Sequence, residues 1–148
     1  MTVPSVSVKL KLLSESSHIP KYAKQGDGAC DLESAIDVVI PPLGRELVGT
    51  GVSVAIPLGY GGLVLPRSGL AINHGITCLN APGLIDSGYR GEIKVILYNS
   101  DSNKEFKIQV GDRIAQLVVV ALPTIDFEIV SQLSNTDRGI GGFGHTGT

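Results

Sequence analysis

Residues 83–92, read Gly-Leu-Ile-Asp-Ser-Gly-Tyr-Arg-Gly-Glu, gather a carboxylate (Asp86), a phenol (Tyr89), a guanidinium (Arg90) and a second carboxylate (Glu92). Three glycines, Gly83, Gly88 and Gly91, punctuate the run. Glycine admits positive φ and lets a ligand come close to the backbone. The spacing predicts a tight hairpin that presents Asp86 and Tyr89 beside free main-chain amides. A general base, a ring and open peptide groups in one turn suit a small planar substrate. An ordinary Asp/Ser/Gly turn accounts for the same residues, so the chemistry depends on what the rest of the chain supplies.

Four other constellations supply it. Arg67 and Ser68 stand at the start of the one segment that reads as a helix, residues 68–75. A guanidinium, a hydroxyl and the free amides of a helix N-terminus together make an anion site; a capped surface helix with a solvated arginine is the alternative. Gln116 lies in an otherwise apolar strand, so its amide needs a partner, whereas Asp112 and Arg113 read as a turn with a local ion pair. Asp31 follows a glycine-rich turn and offers a hard oxygen ligand of the kind Mg²⁺ takes alongside phosphates, or serves as a turn aspartate. The tail from Arg138 onward holds Gly139, Gly141, Gly142 and Gly144, matching GxGxxG and, with His145 in place of lysine, a P-loop. Both motifs need a strand before and a helix after, and only two residues follow Thr146, so neither is expected. What remains is a run of amides able to cradle phosphate oxygens, with Arg138 as a cation and Phe143 as a stacking face, or else a disordered tail. His18, His74 and His145 show no metal-ligand spacing, and there is no HExxH, zinc-deaminase or GxSxG signature.

The elements that must position these groups read as strands. In 148 residues, 43% are hydrophobic but only 5% aromatic, with 19 Gly and 8 Pro. Such a chain forms one domain with a Val/Ile/Leu/Ala core and many turns. Residues 5–12 alternate, Val6, Val8, Leu10 and Leu12 against Ser5, Ser7, Lys9 and Lys11, as a half-buried strand. Further strands are expected at 38–40, ended by Pro41, and at 47–56, broken by Gly49 and Gly51. A turn at 57–62 precedes a strand at 63–65; others follow at 76–79, 92–98, 105–110, 113–122 (buried on both faces) and 127–130. Ser68 is expected to cap the helix N-terminus and Gly75 its C-terminus. The net charge of −2 gives no basic field for a nucleic-acid backbone. Two cysteines without a CxxC read as reduced thiols, and with no signal peptide or membrane-spanning run a soluble cytoplasmic protein is expected. An antiparallel barrel or jelly-roll-like sandwich is the predicted architecture.

Taken in order, Asp31 in Ala-Cys-Asp-Leu, residues 66–71, residues 83–92, residues 111–116, and Arg138 with Gly141, Gly142, Phe143 and Gly144 resemble the five motifs of homotrimeric dUTP diphosphatases. The match runs from about residue 26 to the last residues. Cys30 stands where that family usually has an aromatic, and His145 where a small polar residue is common.

The resemblance implies an all-β fold, a β-clip or distorted jelly-roll barrel with one short helix. Residues 1–137 would form the domain and residues 138–148 a mobile, glycine-rich arm that closes over the site. It implies a homotrimer with active sites at subunit boundaries, dUTP as substrate, and Mg²⁺ bridging the phosphates and held by Asp31 through water. Asp86 would be the general base, orienting water for in-line attack on the α-phosphorus with release of dUMP and pyrophosphate. Such an activity keeps uracil out of DNA and supplies dUMP for thymidylate synthesis. Arg67, Ser68, Gly69 and Gln116 would bind phosphate oxygens, Arg138 the γ-phosphate. Phe143 would stack on uracil, followed by Gly144 in the closing tail. Asn80, Gly83, Leu84, Ile85 and Lys94 would line the base, with Tyr89 packed under the deoxyribose. Neither nucleic acid nor membrane is an implied partner. A dCTP deaminase of the same fold and a non-catalytic nucleotide-binding trimer are the competing readings.

Overall fold

The computed structural model describes residues 5–141. Ten strands and one helix follow one another: β1 (Lys9–Leu12), β2 (Cys30–Glu33), β3 (Val38–Ile40), β4 (Arg45–Ala55), β5 (Tyr60–Leu65), α1 (Ser68–His74), β6 (Ile76–Cys78), β7 (Gly83–Ile85), β8 (Glu92–Asn99), β9 (Phe106–Ile108) and β10 (Arg113–Ala121). They make two four-stranded sheets, ordered β1-β4-β8-β6 and β2-β10-β5-β7, and a β3-β9 ribbon. Both sheets feed one core. Val48, Val52, Ile93, Val95 and Leu97 from the first meet Leu32, Val64, Ile114 and Leu117 from the second. The period-2 alternation of β8 explains its share, with Ile93, Val95, Leu97 and Asn99 all facing inward. The all-β expectation holds, with open sheets in place of a closed barrel. Among the described residues no helix is long and apolar enough to cross a membrane.

Asn99 closes that row as a buried polar group, 1% exposed. Its amide donates to the carbonyls of Ile40, Pro41 and Lys104, at 3.3, 3.3 and 2.8 Å, and its oxygen accepts from the Asp101 amide at 3.0 Å. It ties the end of β8 to the β3 terminus and to the turn before β9.

Several elements differ from the sequence expectation. β4 is continuous, not broken: its register against β8 shifts between Gly49 and Ser53, and Gly51 at φ 66 carries the bulge. β5 begins at Tyr60 and takes in Gly61 and Gly62, because the side chains of Leu122 and Ile56 fill the space where their Cβ atoms would lie. β7 does not fold back on β8. It pairs with β5, while β8 pairs with β4 and β6, so residues 83–92 cross between sheets and the tight hairpin is replaced by a crossing loop. β1 is shorter than expected and wholly exposed, since it edges its sheet with no second layer over it. In β10 only Ile114, Ala115 and Leu117 are buried; Val118, Val119 and Val120 are half-buried. Residues 127–130 form no strand, and Phe127 and Ile129 are 85% and 99% exposed. Their alternation is a strand pattern without a partner among the described residues.

Candidate active site

Three of the five sequence constellations converge because β2, β10 and β5 are neighbours. Gln116 lies opposite Asp31 on one side and opposite Leu65 on the other. That register delivers Asp31, Gln116 and the segment after Leu65 to one place. The Asp31 carboxylate lies between two guanidinium groups, Arg67 Nε at 3.2 Å and Arg113 Nη1 at 3.3 Å. Arg67 Nη1 also donates to the Arg113 carbonyl at 3.1 Å, and Gln116 Nε2 donates to the Pro66 carbonyl at 2.9 Å. The partner that the Gln116 amide required is thus the chain segment that carries Arg67.

These groups wall a pocket of about 300 Å³ lined by Asp31, Arg67, Ser68, Gly69, Arg113 and Gln116. Asp27 also faces it, with one oxygen accepting the Lys24 amide at 2.7 Å. Two carboxylates and two guanidinium groups balance, so the pocket is rich in donors without a surplus of charge. Ser68 is the first helical residue, not the cap. Arg67 holds the cap position in extended conformation, φ −96 and ψ 126, with no side-chain cap. Gly75 does end the helix, left-handed at φ 65. Arg113 belongs to this pocket although the sequence read it as part of a local ion pair. Asp112 instead accepts the Gln109 amide at 2.8 Å. An irregularity between Arg113 and Ala115 breaks the parity that would have signalled a shared face with Gln116.

Asp86 and Tyr89 stand elsewhere. Ile85 pairs with Gly62 and Gly83 with Val64, so Asp86 continues toward Gly61, six positions before Arg67. At ~3.3 Å per residue the two lie on the order of 20 Å apart along the strand. The loop carrying Asp86 is built from its own backbone. The Tyr89 amide donates to the Asp86 carbonyl at 3.0 Å, and Arg90 Nη1 donates to the carbonyls of Ser87 and Tyr89 at 2.7 and 2.8 Å. Arg90 is therefore a loop brace. Tyr89 donates its hydroxyl to the Glu92 carbonyl at 2.8 Å and lays its ring over Gly91, where any side chain would collide with it. Asp86 is exposed and Tyr89 partly so. Since β7 ends its sheet order and does not pair with β8, one edge of Gly83–Ile85 has no strand partner among the described residues. Asn80 and Lys94 are exposed nearby, and Leu84 is 54% exposed.

The dUTPase family model matches residues 15–147. The chain belongs to the dUTPase family. A deoxyuridine 5'-triphosphate nucleotidohydrolase of Corynebacterium glutamicum is 50% identical over 141 residues, 95% of each chain. One of Thermobifida fusca is 48% identical over 97% of this chain and 80% of its own. Among solved structures, a Staphylococcus bacteriophage 80alpha dUTPase variant with dUpNHpp is 30% identical, superposes with a TM-score of 0.86 and covers 96% of this chain and 99% of its own. A variant dUTPase from phage phi11 of S. aureus, described with a structural Mg(II) ion, is 27% identical with a TM-score of 0.78, over 85% and 97% of the two chains.

Within this dUTPase-family chain Arg138, the tail's site candidate among the described residues, joins neither group. Arg138 closes a turn on itself, Nε to the Gly141 carbonyl at 3.0 Å, and is exposed. Phe143, Gly144 and His145 lie outside the described residues. Both cysteines are free thiols. Burial pushes Cys78 up to about 11. It also raises Cys30, beside Asp31, against the lowering effect of a hydrogen bond from Tyr22. Neither thiol is a nucleophile at neutral pH.

Proposed function

We propose that the chain hydrolyses dUTP to dUMP and pyrophosphate in a homotrimer whose active sites each combine residues of different subunits. One observation carries the assembled form: the Asp31, Arg67, Arg113 and Gln116 pocket and the Asp86 loop are each built for a ligand, yet stand about 20 Å apart in one chain by strand register. A neighbouring chain that sets its Asp86 loop against this pocket completes the site. The exposed apolar residues Leu10, Leu12, Phe127 and Ile129 are the surface such an assembly would cover.

In that arrangement Arg67, Arg113, Ser68 and the Gly69 amide donate to phosphate oxygens, and Gln116 is held in place by Pro66. The pocket's balanced charge does not neutralise a polyphosphate, which favours binding together with a divalent cation. Asp31 fits that role: each oxygen accepts one guanidinium contact, and a carboxylate offers about four lone-pair sites, leaving room for a metal-bound water. Mg²⁺ commonly keeps several waters and takes one or two carboxylates together with substrate phosphates, so Asp31 would share the ion with the nucleotide. When bound, Mg²⁺ supplies charge neutralisation and alignment of the phosphates.

Asp86, exposed at the end of β7, takes a proton from a water aimed in line at the α-phosphorus. The unpaired edge of β7 meets the polar edge of uracil. Cytosine reverses donor and acceptor there and leaves buried groups unmatched. Tyr89 packs against deoxyribose and leaves no room for a 2′-hydroxyl. Arg138 reaches the γ-phosphate and Phe143 stacks on the base as residues 138–148 close. Two free thiols suit a reducing compartment, and we place the enzyme in the cytoplasm. The test is direct. With Mg²⁺ the purified chain should release pyrophosphate from dUTP and no ammonia from dCTP. Ammonia release, or binding without turnover, would sink the reading.

A further inference from the structure

We propose that Glu92 is a positioning residue that sets the sugar selectivity of Tyr89, through a bracket formed with the β4 bulge. The inference rests on the reading of Tyr89 as the deoxyribose wall. Among the described residues the Tyr89 side chain makes one hydrogen bond, its hydroxyl donating to the Glu92 carbonyl at 2.8 Å. The orientation of that carbonyl is fixed by what fixes Glu92. Where β4 shifts register between Gly49 and Ser53, the Gly51 amide loses its cross-strand carbonyl. The Glu92 carboxylate replaces it, accepting from Gly51 N at 2.9 Å through Oε1, with Lys94 Nζ 3.5 Å from Oε2. The next peptide is clamped as well: buried Thr50 donates its hydroxyl to the Ile93 carbonyl at 2.7 Å. The bulge itself is anchored behind, since the Gly51 and Gly49 carbonyls accept the amides of Leu13 and Ala35 at 2.8 and 2.9 Å. Gly49 leaves the space the carboxylate occupies; a Cβ there would stand 2.6 Å from Glu92 Oε1. A chain of contacts therefore runs from the interior bulge through Glu92 to the ring.

The test compares Glu92→Gln, Glu92→Asp and Glu92→Ala in the full-length protein. Gln keeps an oxygen for the Gly51 amide; Asp keeps the charge but is one methylene too short. The preference for dUTP over UTP, as the ratio of kcat/KM values, should survive in Gln and fall by about tenfold in Asp and Ala. KM for dUTP should rise more than kcat falls, because Tyr89 does not touch the reacting phosphorus. In protein labelled with 3-fluorotyrosine, the Tyr89 ¹⁹F resonance, assigned with Tyr89→Phe, should keep its position in Gln and shift or broaden in Asp and Ala. An unmoved resonance in folded Glu92→Asp overturns the bracket whatever the enzyme hydrolyses. A moved resonance with an unchanged dUTP preference overturns the link to selectivity. Failure of the wild-type chain to turn over dUTP, with the resonance behaving as expected, removes the functional reading and leaves the bracket standing.

Discussion

If each active site joins the Asp86 loop of one subunit to the Arg67 pocket of another, two inactive variants should restore each other. The perturbation is Arg67→Ala in one population and Asp86→Ala in a second, each purified, mixed in denaturant and refolded together. Within one chain Asp86 is directed toward Gly61 while Arg67 follows Leu65. The resulting separation, about 20 Å, is longer than a triphosphate chain, so the two side chains of one protomer cannot serve the same nucleotide. A boundary in the mixed assembly is intact when the chain giving the loop carries Asp86 and the chain giving the pocket carries Arg67. At equal mixing each condition holds half the time, so about a quarter of the boundaries are whole in a cyclic assembly. Pyrophosphate release from dUTP, per chain, should rise from near background in either variant alone to about a quarter of wild type. It should follow the product of the two chain fractions and peak at equal mixing. Activity that stays at background, with mixed assemblies confirmed by two affinity tags, would refute the shared site, because every site would then take both residues from one chain.

Asp86→Ala alone should still bind dUTP, seen by calorimetry, while turnover falls by about 10²–10⁴-fold, the range for loss of a general base. Deleting residues 138–148 should leave the assembly intact by light scattering and nearly abolish hydrolysis, since Arg138 and Phe143 go with it. Asn99→Asp replaces the three hydrogen bonds donated by this buried side chain with a carboxylate facing the same carbonyls. It should cost about 3–5 kcal/mol in urea unfolding, and Asn99→Asp as stable as wild type would contradict the account of that turn. Cys78 stays protonated in the fold up to about 11, against an ordinary 9.0. The unfolded chain ionises first, so Cys78 should lower stability as pH rises from about 9 to about 11. Cys78→Val should flatten that decline in urea midpoints measured across the range.

The Asp31 pocket was legible in the sequence because its residues are chemically distinctive and each closes a short local motif. Asp31, Arg67, Ser68, Gly69 and Gln116 line one pocket. Their neighbour Arg113 was missed because an irregularity in β10 hides which face it shares. The crossing of residues 83–92 between sheets was also hidden. Glycines and an Asp-Ser-Gly-Tyr run signal a bend, but which strands lie on either side of it is decided by distant pairings. The glycines of β4 carried the right signal under the wrong interpretation: two glycines in an apolar strand marked a bulge, not a break. The apolar alternation of residues 5–12 and 127–130 was real, but no surface among the described residues covers it. Periodicity reports that a face wants burial and is silent on what buries it.

The segment Ile125-Asp126-Phe127-Glu128-Ile129 has a consequence for the newly made chain. It is an exposed stretch with strand-forming residues at every second position, the kind that stacks on copies of itself. Asp126 and Glu128 interrupt it. Copies laid in register would bring carboxylate against carboxylate at two rungs, whereas a foreign edge with different side chains would not. The same acidic spacing that leaves the apolar residues exposed thus guards against aggregation during synthesis.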